Sequence, residues 1–205
     1  VLPETVVTAA ERATYAEVWD ALWDRYGATE ASPGVKYLPL FLDAIGAEAS
    51  DREQPSRGTV LDAGCGSGVS AIALAEAGFE PILCDLTDEG LRPEAKAFPF
   101  AQACLWKPLR PAIRRGLVDY VYCCDVLEHL PTQFVGLAIE QMLRVADRGL
   151  FISVSLVPDK AGVWLGKTLH QTVQGYQWWK DTCAELGTVV DARDLISDAT
   201  FLVRR

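Results

Sequence analysis

Apolar residues near the start of the chain recur at helical spacing. Tyr15, Val18, Trp19, Leu22, Trp23 and Tyr26 form one stripe. Thr8 stands where an N-cap is needed, with Glu11 three residues on, and Gly27 gives a stop. A shorter helix is expected over Val35–Ile45, after Ser32-Pro33-Gly34, and the polar stretch from Ser50 to Gly58 reads as a connection. From Thr59 the rhythm changes. Short apolar runs predict strands over Thr59–Ala63, Pro81–Cys84, Ala101–Leu105, Leu117–Cys124 and Gly149–Ser155. Between and after them, helical periodicity predicts Val69–Ala77, a broken helix over Glu89–Ala97, Gln133–Ala146 and Gln177–Leu186. Val189–Asp191 and Thr200–Val203 read as two closing strands with little between them, an antiparallel hairpin at the edge. Strands alternating with helices predict an α/β fold, a mostly parallel sheet covered on both faces.

The chain has 205 residues, which fits a single domain: an N-terminal helical cap over 1–58 and an α/β core over 59–205. Half of the residues are hydrophobic and 23% are charged, the balance of a globular protein. No apolar run approaches the roughly 20 residues that span a bilayer, so no membrane partner is expected. The start lacks the basic and apolar pattern of a secretory leader. Val1 comes first and Met142 is the only methionine, so the numbering is expected to begin inside a longer chain. The formal charge is −9 with a pI near 4.7, which disfavours long nucleic acid as a partner. A short basic groove lined by Arg110, Arg114 and Arg115 remains compatible with that charge. The six cysteines at positions 65, 84, 104, 123, 124 and 183 form no Cys-x-x-Cys pair. Most lie in apolar runs, where a reduced thiol behaves as a small hydrophobe. That usage predicts a reducing, cytoplasmic location.

The chemistry concentrates after the first predicted strand, in Val60-Leu61-Asp62-Ala63-Gly64-Cys65-Gly66-Ser67-Gly68. Ligands of open α/β sheets bind beyond the carboxyl ends of the strands. Glycines there let a ligand approach the main chain. The spacing is Gly-x-Gly-x-Gly, with Val69 where a dinucleotide fingerprint needs its last glycine. No Lys-Ser/Thr pair follows, so this is no triphosphate loop. Asp62 stands just before the turn, where a carboxylate repels pyrophosphate and attracts an ammonium. Asp85 ends the second strand, where a carboxylate can accept both hydroxyls of a ribose.

These residues resemble the first and second motifs of the class I, Rossmann-like S-adenosylmethionine-dependent methyltransferases. The resemblance runs over about Thr59–Leu156. It implies a three-layer α/β/α sandwich around a seven-stranded, mostly parallel sheet with one antiparallel edge strand. It implies S-adenosyl-L-methionine as cofactor, touched by the backbone of Gly64, Cys65 and Gly66, with Asp85 on the ribose. The expected cofactor set is Asp62, Gly64, Cys65, Gly66, Gly68, Asp85, Leu86, Leu105, Trp106 and Asp125. Leu105 and Trp106 lie where the family packs on adenine and are expected to sandwich the purine, with plain core packing the alternative for Trp106. This chain has no acidic residue there to meet the adenine amine.

The fourth strand runs into Cys124-Asp125-Val126-Leu127-Glu128-His129-Leu130-Pro131, which resembles the family's fourth motif. The chain has two histidines, His129 in this segment and His170 in the variable region after the fifth strand. Three readings stay open. Glu128 and His129 only shape the loop. Alternatively His129 or His170 is a general base, since imidazole titrates near neutrality. The third is a divalent metal, less favoured, held by Asp125, Glu128, His129 and His170 to orient and acidify an acceptor. The spacing is similar to the Glu-x-x-Glu-His of small-RNA terminal ribose methyltransferases and some quinone-biosynthesis O-methyltransferases. Here Asp125 replaces the first Glu, and Leu130 replaces the second consecutive His of the RNA enzymes.

Gly175-Tyr176-Gln177-Trp178-Trp179 reads either as an acceptor wall or as an anchor for its helix, and Tyr15 or Tyr37 as closing the cofactor site. The chain has no Asp/Asn-Pro-Pro-Tyr clamp and no Pro-Cys nucleophile, so methylation of DNA bases is disfavoured. The expected reaction is methyl transfer to an O or N atom of a small-molecule acceptor. The alternatives are a methyltransferase acting on a nucleic-acid end or modified nucleotide, and a cofactor-binding partner protein that transfers nothing. A nicotinamide oxidoreductase fails on the glycine spacing and on Asp62.

Overall fold

The computed structural model describes residues 32–46, 57–109, 113, 118–160, 162 and 166–205. The helix expected between Thr8 and Gly27, with Tyr15, and the basic residues Arg110, Arg114 and Arg115 lie outside the described residues. The first described element is helix α1, Pro33–Ala44, followed by β1, Thr59–Ala63, α2, Val69–Glu76, β2, Glu80–Asp85, and β3, Phe100–Gln102. Then come β4, Val118–Cys124, α3, Thr132–Val145, β5, Ala146–Ser155, α4, Tyr176–Leu186, β6, Thr188–Asp194, and β7, Asp198–Arg204. The seven strands form one sheet in the order β3-β2-β1-β4-β5-β7-β6.

β3, β2, β1, β4 and β5 pair in parallel, and β7 alone runs against its neighbours. The expected closing hairpin is present, and its reversed strand lies one place in from the rim. Composition accounts for the order. Ala199, Thr200, Phe201, Leu202 and Val203 of β7 are all buried, which suits a strand covered on both faces. Along β6 every residue is exposed or half-buried, which suits an edge.

Two apolar layers cover the sheet. On one side Leu61, Val121, Ile139, Met142, Ile152 and Trp179 belong to the larger core, so Trp179 anchors α4. On the other side α1 packs Tyr37 and Phe41 against Tyr120, Tyr122 and Phe151. Tyr37 is therefore committed to the core, and its hydroxyl accepts from Lys36 Nζ at 2.9 Å. The buried Tyr122 hydroxyl donates to Gly34 O at 2.5 Å, tying the start of α1 to β4.

One expected helix is absent. Glu89–Ala97 holds only a 3-10 turn at Ala95–Ala97. Gly90 and Pro93 weaken helical continuity there, and Arg92 N–H is drawn away to Ser67 O at 3.0 Å. The third strand also departs from expectation: it spans Phe100–Gln102, and Ala103–Leu105 leave the sheet. All six cysteines are free, five buried and Cys124 half-buried. Among the described residues no helix is long and apolar enough to cross a membrane.

Candidate functional site

The carboxyl ends of β1, β2, β4 and β5 carry the site. Asp62 lies near the end of β1, and the chain turns at Gly64, Gly66 and Gly68 with φ of 76°, 50° and 75°. Positive φ is costly for residues with a Cβ. Space adds a second constraint at Gly64, where a Cβ would stand 2.5 Å from Val126 Cγ2. At Gly68 it would strike Ala95 Cβ. The turn thus packs directly on the loop after β4.

The donors of the turn are already engaged. Gly64 and Cys65 N–H both reach Cys84 O, at 2.8 and 3.1 Å, and Gly66 N–H donates to Asp85 Oδ2 at 2.8 Å. With these three N–H groups engaged, the turn offers carbonyl oxygens to a ligand, which suit a cation rather than a phosphate.

Asp62 is 4% exposed, and its Oδ2 has no hydrogen-bond partner. Burial, and secondly the charge of Asp85, push its carboxyl up to about 7. Such an orphaned oxygen calls for a positively charged or donating ligand group. Asp85 is half-buried at the end of β2. Its Oδ1 accepts Leu86 N–H at 2.7 Å and its Oδ2 accepts Gly66 N–H. Burial raises its carboxyl, and those two N–H groups pull it back. Each oxygen keeps a lone pair for a hydroxyl. Gln102 Nε2 donates to Leu86 O at 2.6 Å and fixes the segment that follows.

The two residues expected on adenine divide. Leu105 is buried in the larger core. Trp106 is half-buried and stacks on Phe134 of α3, with ring centroids 5.2 Å apart and planes within 13°.

A second group of side chains lies beyond β4 and β5. Asp125 has φ 60°, unusual for a residue with a Cβ, and its N–H donates to Ser153 O at 3.0 Å. Glu128 is fully buried in a short 3-10 turn, Leu127–His129. Its Oε1 accepts Ser155 N–H at 2.6 Å and its Oε2 has no partner. Burial, then the charge of Asp125, push the Glu128 carboxyl well above the usual range. Asp125, Glu128 and His170 each offer a ligand atom, all within 4.8 Å of one another.

The imidazoles of His129 and His170 meet edge to face, with centroids 4.8 Å apart. His129 Nδ1 lies 3.1 Å from Leu169 O, and burial lowers its affinity for a proton. His170 Nδ1 lies 2.7 Å from Val157 O. A carbonyl only accepts, so that nitrogen carries the hydrogen and Nε2 of the neutral ring keeps its lone pair. His129 and His170, distant in sequence, are thus brought together with Asp125 and Glu128.

Sequence reasoning passed over Val126, Ser155 and Asp159. The last accepts N–H groups from Gly162, Leu169 and His170. Asp159-x-x-Gly162 has the form of a side-chain-closed turn, a signal present in the sequence.

Comparison with known proteins follows this geometry. The chain is 30% identical over 153 residues to magnesium-protoporphyrin O-methyltransferase of Synechocystis sp., an alignment covering 71% of this chain and 64% of that protein. The solved magnesium protoporphyrin IX methyltransferase from Synechocystis PCC 6803, with bound S-adenosylhomocysteine, superposes with TM-score 0.64. It shares 22% identity and covers 95% of this chain and 98% of its own. The 1,6-didemethyltoxoflavin-N1-methyltransferase of Burkholderia thailandensis superposes with TM-score 0.61 at 14% identity, covering 100% of this chain and 93% of its own. These likenesses establish a shared fold. A family model described as a methyltransferase domain matches residues 35–199, and the chain belongs to that methyltransferase family.

Proposed function

We propose that this chain uses S-adenosylmethionine to methylate an oxygen of a small-molecule acceptor, with His170 taking the acceptor's proton. The observation that carries the cofactor reading is the pair of acids around the glycine turn. Asp62 has a buried oxygen without a partner, fit for the ammonium of the methionine part. Asp85 has lone pairs left beyond the two backbone N–H groups, fit for the ribose hydroxyls. Gly64, Cys65 and Gly66 offer carbonyls beside them, with Gly68 closing the turn and Leu86 following Asp85.

When bound, S-adenosylmethionine supplies a methyl group on a positively charged sulfur, open to in-line attack by a lone pair. The chain's own task is to hold that geometry and exclude water. Val126 packs against Gly64 and so joins the cofactor turn to the loop that bears Asp125, Glu128 and His129. His170 Nε2 is the acceptor-side base, with the ring oriented through Nδ1 by Val157 O. The relatives support a small-molecule acceptor. One is named for magnesium protoporphyrin and another for 1,6-didemethyltoxoflavin.

The test is calorimetry with S-adenosylhomocysteine and with NAD, followed by tritium transfer from methyl-labelled cofactor into fractionated small molecules. Binding of the homocysteine product, with no binding of NAD, is expected. Label transfer is expected to fall at least tenfold in His170→Ala. NAD binding without homocysteine binding overturns the cofactor reading, and full transfer by His170→Ala removes the base.

A second reading has its own observation. The convergence of Asp125, Glu128 and His170 within 4.8 Å, with Glu128 Oε2 unpartnered, also fits a divalent cation. These residues would hold it, and the cation would supply Lewis acidity to the acceptor oxygen.

A further inference from the structure

We propose that Asp159 is the positioning residue of the acceptor site: its carboxylate gathers Gly162, Leu169 and His170 and sets the His170 imidazole against His129. The inference rests on the reading of His170 as an acceptor-side group.

Asp159 stands just beyond β5 and is half-buried. Its Oδ1 accepts Gly162 N–H at 2.5 Å, and its Oδ2 accepts Leu169 N–H at 2.9 Å and His170 N–H at 3.2 Å. Three donors on one carboxylate favour the charged form, and they hold the Asp159 carboxyl below its ordinary range. The geometry admits no side chain at position 162. A Cβ at Gly162 would stand 2.9 Å from Asp159 Oδ1 and 2.9 Å from Leu169 Cγ, and would strike Lys167 O. Lys167 N–H returns to Gly162 O at 3.0 Å, a further tie between two residues beside the carboxylate.

Both histidines depend on what Asp159 holds. Leu169 donates its N–H to Asp159 and accepts from His129 Nδ1 through its carbonyl. His170 is held at two points, N–H on Asp159 and Nδ1 on Val157 O. Two residues later Thr172 is pinned to the 3-10 turn after β4, its N–H on Glu128 O at 2.9 Å and its hydroxyl on Leu130 O at 2.7 Å. Thr172 therefore fixes one end of the segment and Asp159 the other. Between them lie Leu169, whose carbonyl meets His129 Nδ1, and His170 itself. The sheet does not use Asp159, so its loss releases His170 without dismantling the core.

The experiment is proton NMR on the full chain, whose two histidines give two sets of imidazole signals. A cross-relaxation peak between the rings is expected in the unaltered protein, given centroids 4.8 Å apart. Asp159→Ala is expected to lose that peak. Its thermal midpoint should stay in place, and its affinity for S-adenosylhomocysteine should change by less than twofold. Asp159→Asn, which keeps one accepting oxygen, is expected to retain the peak. Should Asp159→Ala fail to fold, Asp159→Ser removes the same reach and is read in its place. A persisting ring contact overturns the proposal. So does loss of homocysteine binding in parallel with the ring contact, which would mark a general structural role. No step reads methyl transfer, so an inactive or fully active His170→Ala bears on the base assignment alone.

Discussion

Gly66 N–H and Asp85 Oδ2 lie 2.8 Å apart, so the glycine turn after β1 and the end of β2 form one unit. The bond orients the carboxylate while leaving lone pairs for a diol. Asp85→Ala should therefore weaken S-adenosylhomocysteine binding by about 1–3 kcal/mol, roughly 5- to 150-fold. The change removes the acceptor of two hydroxyls and also frees the Gly66 and Leu86 N–H groups. Titration calorimetry measures it, and an unchanged affinity takes Asp85 out of the site.

Asp62 couples that same site to pH. Its carboxyl is raised to about 7 from an ordinary 3.8, first by burial and then by Asp85. Between those two values the folded protein without cofactor keeps a proton that the unfolded chain has lost. Its stability therefore falls as pH rises through that window and levels above about 7. Cofactor affinity runs the opposite way, because an ammonium favours the ionised carboxylate. Homocysteine binding should strengthen from pH 5.5 to about 7, by up to about tenfold per unit, and release a proton. Calorimetry in buffers of different ionisation enthalpy reads that proton. In Asp62→Asn affinity should drop and its pH dependence across this window should vanish; a slope as steep as before would assign the titration elsewhere.

The half of the site around Asp62 and Asp85 was legible because it is local. A strand, three glycines, a helix and a second strand ending in acid follow one another within Thr59–Asp85. The acceptor half is built from pairs far apart in sequence. Ser155 N–H reaches Glu128, and Leu169 O meets His129. Nothing in either residue's neighbourhood announces those bonds. The helix expected over Glu89–Ala97 failed for a similar reason, since Ser67 O, a helix and a strand back along the chain, takes the Arg92 N–H. Trp106 was legible as an aromatic at the end of β3, but its stacking on Phe134 is set by how α3 lies. The slot of β7 follows from its unbroken burial, which the hydrophobic run Phe201-Leu202-Val203 already carried.

Strain is visible at the β6–β7 turn. Ile196 has φ 75° and is 93% exposed, while Ser197 N–H bonds back to Leu195 O at 3.0 Å. This is a γ-turn with its central residue in the left-handed region, which a β-branched side chain resists. Ile196→Gly relieves that strain, of order 1–3 kcal/mol, and gives back about 0.5–1 kcal/mol in chain entropy. A net gain of about 0.5–2 kcal/mol is expected from urea denaturation. A less stable variant would mean that the Ile196 side chain contributes contacts its exposure does not suggest.

The two readings of the acceptor side separate on one pair of measurements. A base at His170 needs only the imidazole, held by Val157 O through Nδ1. A cation needs Asp125 and Glu128 as well, brought within 4.8 Å of His170. Asp125→Asn keeps the side chain's shape and removes a hard, charged oxygen, to which a divalent ion is sensitive and a histidine base much less so. With the base, chelator treatment leaves label transfer within about twofold, and Asp125→Asn costs less than His170→Ala. With the cation, chelator abolishes transfer, manganese restores it, and calorimetry with manganese alone shows one site that Asp125→Asn and His170→Ala each weaken at least tenfold. The base is the expected outcome, because burial and the neighbouring Asp125 push the Glu128 carboxyl up, against the charged form that a cation needs as ligand. A manganese site of micromolar affinity in the unaltered protein would reverse that order.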